Sequence, residues 1–259
     1  MWLFSDKVLV RESGLLDGFC DCHCHLLPGV DDGVQEMDET MQILEVWASL
    51  GVKEVWLTPH IMEDIPNEPE ELRKRFETLT GTSTGTSTGT IELHLAAEHM
   101  MDGLFLKRLG EGEVMPFNVN VNVNDNGNGN VNDNDNDGRK LLVETSYYTP
   151  PMNMGAIIER IKEKGYEPLL AHPERYQYMD DSDYKMWKQR GVLLQLNLPS
   201  LVGAYGPMVQ RKAEWLLKEG MYDYSGTDTH SAVQMEMFLN SMISKKTVKK
   251  AKAISNHNS

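Results

Sequence analysis

Residues 156–171, Ala-Ile-Ile-Glu-Arg-Ile-Lys-Glu-Lys-Gly-Tyr-Glu-Pro-Leu-Leu-Ala, decide the fold class. An amphipathic helix over 156–164 is followed by Gly165, which suits the left-handed position after a last helical turn, and then by a short apolar strand over 166–171. The same unit recurs at 41–58 around Gly51, at 184–198 around Gly191 and at 209–225 around Gly220. Helices alternating with continuous apolar strands imply right-handed βαβ crossovers and a parallel sheet. Further strands are expected at 19–25, 91–98 and 140–146. Seven strands of this kind suit a barrel or a strongly curled sheet.

The 259 residues, 40% of them hydrophobic, suffice to bury a core, and the chain reads as a single domain over 1–259. Two segments break the pattern. Residues 80–90 repeat Gly-Thr-Ser-Thr, and 118–138 consist almost wholly of Asn, Val, Asp and Gly. Both are expected to be mobile surface loops without function, and the second lacks the carboxylate spacing of a calcium loop. The formal net charge of −14 argues against nucleic acid, whose phosphates need clustered Lys and Arg. No apolar run approaches the ~20 residues of a membrane span, and the N-terminus lacks signal-peptide order. A cytoplasmic protein with no direct membrane insertion is expected. Cys20, Cys22 and Cys24 lie too close together in one strand to bridge one another. A zinc site on Cys22 and Cys24 lacks a second cysteine pair, and no cysteine has an arginine six residues on, where Leu26, Pro28 and Val30 stand.

The strongest local signal is Asp21-Cys22-His23-Cys24-His25. Alternate strand residues share a face, so His23 and His25 point together and the cysteines point away. His60, Glu98 and His172 each close an apolar strand, and Asp228 and His230 follow another. In parallel α/β architectures that edge is where active sites assemble. Asp31-Asp32-Gly33 lies shortly beyond the paired histidines. Any one of these residues is as easily structural as functional; their common position argues for a metal cluster. Imidazole and carboxylate without thiolate suit manganese, iron or zinc, and so many ligands call for two or three ions. Such a centre activates water for in-line phosphoryl displacement. Arg175, three residues past His172, offers a planar fork to a phosphate, with a salt bridge to Glu174 or Asp180 as the alternative. His94, His99 and His257 read as structural or solvated, Met41, Leu44 and Trp47 as core, and the basic stretch 245–252 as a solvated helix.

As a set, Asp21-x-His23-x-His25, 27–33, Thr58-Pro59-His60, Ala97-Glu98, 170–175 and 226–230 resemble the polymerase and histidinol phosphatase (PHP) superfamily. Within it, the chain looks like the bacterial tyrosine-protein phosphatases of capsular and exopolysaccharide loci. The resemblance covers about 19–62, 91–106 and 139–244 and fails at the two low-complexity stretches. It implies a distorted (β/α)7 TIM-like barrel with a trinuclear centre activated by Mn2+, with iron or zinc as alternatives. His23, His25 and Asp228 would hold one ion, Glu98 would bridge it to a second that also takes His172, and Asp32, His60 and His230 would hold the third. Arg175, Glu98 and Asp228 would carry catalytic roles. The implied substrates are phosphotyrosines on the tail of a membrane-associated tyrosine autokinase, hydrolysed by a metal-bound hydroxide. No nucleotide-binding Gly-x4-Gly-Lys-Ser/Thr loop is present, so the chain would be the phosphatase and not the kinase.

The residues alone reach phosphoester hydrolysis; phosphotyrosine specificity comes from the resemblance. A small-molecule phosphatase, such as one acting on histidinol phosphate, would use the same centre. So would a non-catalytic, metal-stabilised phosphopeptide-binding protein. Tyr147, Tyr148, Tyr176 and Tyr178 are candidates for lining the mouth, with core packing or surface exposure as the alternative.

Overall fold

A computed structural model describes residues 6–83, 91–117 and 139–254. The strands are β1 Lys7–Leu9, β2 Cys20–Cys24, β3 Glu54–Leu57, β4 His60–Ile61, β5 Glu92–Leu95, β6 Glu98–Met100, β7 Arg139–Glu144, β8 Tyr166–Leu170, β9 Leu193–Asn197, β10 Tyr224–Gly226 and β11 Met242–Ser244. The helices are α1 Met37–Ser49, α2 Pro69–Ser83, α3 Gly103–Glu111, α4 Met154–Glu163, α5 Asp181–Gln189, α6 Pro207–Lys218, α7 Ala232–Leu239 and α8 Lys245–Ala251.

The four repeated units are α1–β3, α4–β8, α5–β9 and α6–β10. Their glycines, Gly51, Gly165, Gly191 and Gly220, all have positive φ, the conformation that ends each helix and that a Cβ would oppose. The expected loop at 118–138 and most of that at 80–90 lie outside the described residues. Residues 80–83 prolong α2 instead. The Thr78, Thr80 and Thr82 hydroxyls donate to carbonyls a turn earlier, for example Thr82 to Thr78 at 2.9 Å, the back-bonding that satisfies a threonine inside a helix.

Parallel pairing gives two runs, β2-β3-β5 and β4-β6-β7-β8-β9-β10, while β1 and β11 pair antiparallel apart from them. The strand expected at 52–58 is β3, which ends before Pro59; the short β4 follows that residue, which has no N–H to give. The strand expected at 91–98 is broken into β5 and β6, where Ala97 N–H turns aside to Met115 O at 3.2 Å. Because β3 runs on into β4, and β5 into β6, the first run passes directly into the second. At the far edge, chain beyond β10 lies against β2. Asp228 N donates to His23 O at 2.7 Å, His25 N to Thr229 O at 2.9 Å, and Thr227 N to Asp21 Oδ1 at 2.8 Å, across 206 residues of sequence. The parallel sheet therefore curls strongly.

The core has two parts. On the outer side of the curl, Ile43, Leu44 and Trp47 of α1 and Ile157, Ile158 and Ile161 of α4 belong to the cluster that holds Val55, Leu57, Leu141, Val143, Leu170 and Leu194. A smaller cluster gathers Cys20, Cys22, Trp56, Ala96, Leu142, Leu169 and Tyr224, drawn from strands all round the curl, with Phe117 beside them. Strict alternation would put all three cysteines opposite His23 and His25. Cys24 is in the larger cluster, but Cys20 and Cys22 are in the smaller one, because the register of β2 against β3 shifts between Asp21 and Cys24. The basic stretch near the C-terminus is helical as α8, but Val248 and Ala251 are buried, so one face packs. Among the described residues no helix is long and apolar enough to cross a membrane.

Candidate metal centre

The carboxyl-terminal ends of the parallel strands converge on one cluster of imidazoles and carboxylates. His23 and His25 come from the end of β2, His60 follows the break after β3, and Glu98 follows the break after β5. Glu144 ends β7, His172 lies just past β8, and Asp228 and His230 lie past β10. Two features let these segments approach. His172 and Asp228 adopt left-handed backbone (φ 31° and 51°), conformations costly for non-glycine residues and characteristic of sites held under constraint. Gly226 brings β10 against β2 so tightly that an added Cβ would lie 2.6 Å from His23 Cβ.

Glu98 is central. Its Oε2 lies 3.2 Å from His23 Nε2, 3.3 Å from His25 Nε2 and 3.2 Å from His60 Nδ1, and its Oε1 lies 3.0 Å from His172 Nε2. Asp228 Oδ1 is 3.5 Å from the Nε2 atoms of both His23 and His25. Asp32, at the rim with 65% of its side chain exposed, approaches His60 Nε2 at 3.5 Å and His230 Nε2 at 3.6 Å. All eight expected ligands thus stand in one cluster, and Glu144 joins them, 3.2 Å from His60 Nδ1 and 3.7 Å from His172 Nε2. Four overlapping sets bring their donor atoms within 4.8 Å of one another: His25-Asp32-His60-His230, His23-Glu98-His172, His23-His25-Asp228 and His60-Glu98-Glu144.

Neighbouring groups fix the rings. His23 Nδ1 meets Gln195 Oε1 at 3.0 Å, His25 Nδ1 meets Asp31 Oδ2 at 2.8 Å, and His230 Nδ1 meets the Asp228 carbonyl at 2.9 Å. Each contact favours a proton on Nδ1 and leaves the Nε2 lone pair turned to the cluster, the second layer that orients metal-ligating histidines. Burial works against charge here, yet Glu98 and Asp228 carry the His23 imidazolium up to about 9, and Glu98 with Glu144 carries that of His60 up to about 10. Glu98 and Asp228 stay well below the usual carboxylate range despite burial, through His23 together with His60 and His172 respectively. His230 is pushed down by burial and by His25. Buried His172 Nδ1 has no hydrogen-bond partner, and buried His60 Nδ1 and Glu98 Oε2, though in ion-pair contact at 3.2 Å, make no hydrogen bond of acceptable geometry. Unmet groups of this kind cost about 1–3 kcal/mol each, so the donor set fits a cation.

Arg175 flanks the cluster. It bonds neither Glu174 nor Asp180; its Nη1 donates to Asp228 Oδ2 at 2.8 Å. Glu174 is buried and accepts instead from Asn197 N and the Tyr222 hydroxyl, while Asp180 caps α5. Of the candidate mouth tyrosines, Tyr148 is 69% exposed, Tyr176 is buried, and Tyr147 and Tyr178 are half-buried.

The model of the family "Capsular polysaccharide synthesis, CpsB/CapC" matches residues 19–124 and 130–259. This chain belongs to the CpsB/CapC family. It is 23% identical over 216 residues to the tyrosine-protein phosphatase YwqE of Bacillus subtilis (strain 168), covering 82% of this chain and 77% of YwqE. The putative tyrosine-protein phosphatase CapC of Staphylococcus aureus is 21% identical over 232 residues, covering 88% and 84%. The tyrosine-protein phosphatase CpsB of Streptococcus pneumoniae is 22% identical over 220 residues, covering 82% of each. In fold, the chain is similar to a crystal structure from a set comprising YwqE and CpsB, described with them as unique metal-dependent tyrosine phosphatases. The TM-score is 0.71 at 20% identity, covering 90% of this chain and 84% of the other.

The remaining candidates stand apart from the cluster in this CpsB/CapC chain. None of the three cysteines forms a disulfide, all are buried, and burial holds their thiols far above the ordinary range, so none offers a thiolate at neutral pH. His94 stacks on Trp56 at 4.5 Å. His99 is buried and pushed down to about 4 by desolvation, with Nδ1 donating to Ala97 O at 3.1 Å and Nε2 accepting from Met115 N at 3.3 Å. His257 lies outside the described residues.

Proposed function

We propose that this chain is a metal-dependent protein-tyrosine phosphatase, a single distorted (β/α)7 barrel of the PHP type. The observation that carries it is the convergence of nine buried or rim His, Asp and Glu side chains, three of them with buried atoms that make no hydrogen bond, beside one guanidinium. Three groups are assigned one ion each: His23, His25 and Asp228; Glu98, His172 and Glu144; and Asp32, His60 and His230. Manganese is the proposed activating ion, with iron or zinc as alternatives. Bound there, such ions would supply Lewis acidity and an activated water for phosphoryl transfer.

The protein's own groups do the rest. Arg175 spends one N–H on Asp228 and presents its remaining in-plane donors to phosphate oxygens. Asp31 and Gln195 hold His25 and His23 in the ligating tautomer. Tyr147 and exposed Tyr148 offer an apolar wall to the substrate ring. The barrel reading is supported by the contacts between β2 and the chain after β10, which leave seven strand positions around the curl once β3 with β4 and β5 with β6 are each counted once. The names of the relatives support phosphotyrosine as substrate, and the proposed partner is the phosphorylated tail of a membrane-associated tyrosine autokinase, met in the cytoplasm.

The test is phosphate release from a tyrosine-phosphorylated peptide with manganese, with chelator, and by a His23→Ala/His25→Ala variant. Turnover should need both metal and histidines, the double variant falling at least about a thousandfold. Turnover on histidinol phosphate but not on the peptide would replace the phosphotyrosine reading with a small-molecule one. Tight peptide binding without release would leave a binding protein.

A further inference from the structure

Arg175 leaves the short turn Pro173–Arg175 with its guanidinium carbon 4.3 Å from the ring centre of Tyr147 and 4.3 Å from that of Tyr205. The two rings come from different parts of the chain, and each is held independently. Tyr205 is tied through its hydroxyl, which accepts from Asn197 Nδ2 at 3.1 Å, and the same Nδ2 donates to Asp228 Oδ2 at 2.8 Å. Asp228 Oδ2 is also the oxygen that Arg175 bonds. Arg175, Asp228, Asn197 and Tyr205 therefore close a ring of contacts. Tyr147 is braced from behind by stacking on Tyr176 at 6.2 Å and by an edge contact with His172 at 5.6 Å. Tyr176 in turn stacks on Tyr178 at 5.7 Å, whose hydroxyl lies 2.6 Å from Thr145 Oγ1. Both rings lie within cation–π distance of the guanidinium carbon, and a guanidinium has all its donors in one plane, so it meets a ligand at its edge while the rings pack against the cation.

We propose that Tyr147 and Tyr205 are positioning residues that hold Arg175 in one orientation, presenting its donor edge to the oxygens of a phosphate monoester. The proposal rests on the reading of the site as phosphate-binding and adds the groups that orient its arginine. Neither ring needs to touch the reacting atoms. What each supplies is a flat face, so phenylalanine substitutes for tyrosine and leucine does not.

The experiment measures the affinity of the manganese-loaded full chain for inorganic phosphate by calorimetry, with metal content checked, and then kcat and KM on an aryl phosphate. Tyr147→Leu and Tyr205→Leu should each weaken phosphate binding about tenfold and raise KM more than they lower kcat. Tyr147→Phe and Tyr205→Phe should restore binding to within about threefold. In an Arg175→Ala background the leucine substitutions should have no further effect on phosphate affinity. Phenylalanine variants as weak as the leucine ones, an undiminished leucine effect without Arg175, or loss of metal from the leucine variants would overturn the proposal. Phosphate affinity is read without turnover. A chain that shows the full pattern but hydrolyses no phosphotyrosine would therefore sink the functional reading and leave the positioning role standing.

Discussion

At the amino-terminal end of the strands β7 to β10, a cavity of about 690 Å3 is bounded by Lys140, Glu167, Leu193, Tyr222 and Tyr224. Three of its charged side chains are paired locally: Lys140 Nζ lies 3.7 Å from Glu167, and Asp223 Oδ1 is met by Lys188 Nζ at 2.7 Å. At the other end of the sheet, Glu98, Glu144 and Asp228 are buried; Arg175 and Asn197 meet one oxygen of Asp228, and the remaining partners are histidines, which must take up protons to match the charge. The first end pairs lysines with carboxylates. The second buries more carboxylate than permanent cation and calls for protons or cations from outside, which marks an end built to bind rather than merely to hold the fold.

The contrast is sharpest at Glu144. If it belongs to the binding end, Glu144→Gln should weaken metal affinity about 10- to 100-fold in a calorimetric titration, with helix content unchanged. Wild-type affinity and stoichiometry in that variant would move Glu144 out of the site.

His99 tests the boundary from the other side, since it adjoins Glu98 in sequence but turns into the core. Its folded pKa of about 4 lies below the unfolded value near 6.5, so the unfolded chain binds the extra proton between those limits. The stability due to neutral His99 is present above pH 6.5 and drains away as pH falls toward 4. Urea unfolding should show about 2 kcal/mol of this loss between pH 7 and pH 5, over and above the slope of a His99→Gln variant. Parallel pH profiles would contradict a neutral, buried His99. His23 has the opposite sign: its raised pKa contributes stability to the metal-free chain below pH 6.5 that disappears as pH rises through about 9, which is why the variant difference and not the raw slope carries the test.

The smallest effect is expected at the other end. Lys188→Ala removes a half-exposed ion pair and should cost no more than about 1 kcal/mol in thermal unfolding while leaving phosphate release untouched. A large loss of activity there would erase the distinction between the two ends.

Much of this was legible in the chain itself, and what was not has particular causes. The helix–glycine–strand units could be read because amphipathic periodicity, a left-handed glycine and an apolar run each report the same local geometry. The break at Ala97 was hidden because it depends on where the folded chain sends that residue's N–H, to Met115 O. Glu144 escaped notice because the strand was expected to run to 146; ending it at Glu144 would have placed a carboxylate in the position that singled out Glu98 and His172. Gln195 and Asn197 carry no charge and follow no spacing rule, so only the folded chain reveals them. The helices α2, α3 and α7 do not follow from the sequence reading either. In α7, Val233 and Met237 are exposed although Met235, Phe238 and Leu239 are buried, so the apolar stripe that would have announced a helix is blurred.

The contact between Asp21 and Thr227 joins points 206 residues apart, and beside it the paired histidines meet Asp228 directly. During synthesis the first half of the site leaves the ribosome long before its complement exists. Under the proposed assignment, the group of His23, His25 and Asp228 cannot close around an ion until residue 228 has been made and folded back onto β2.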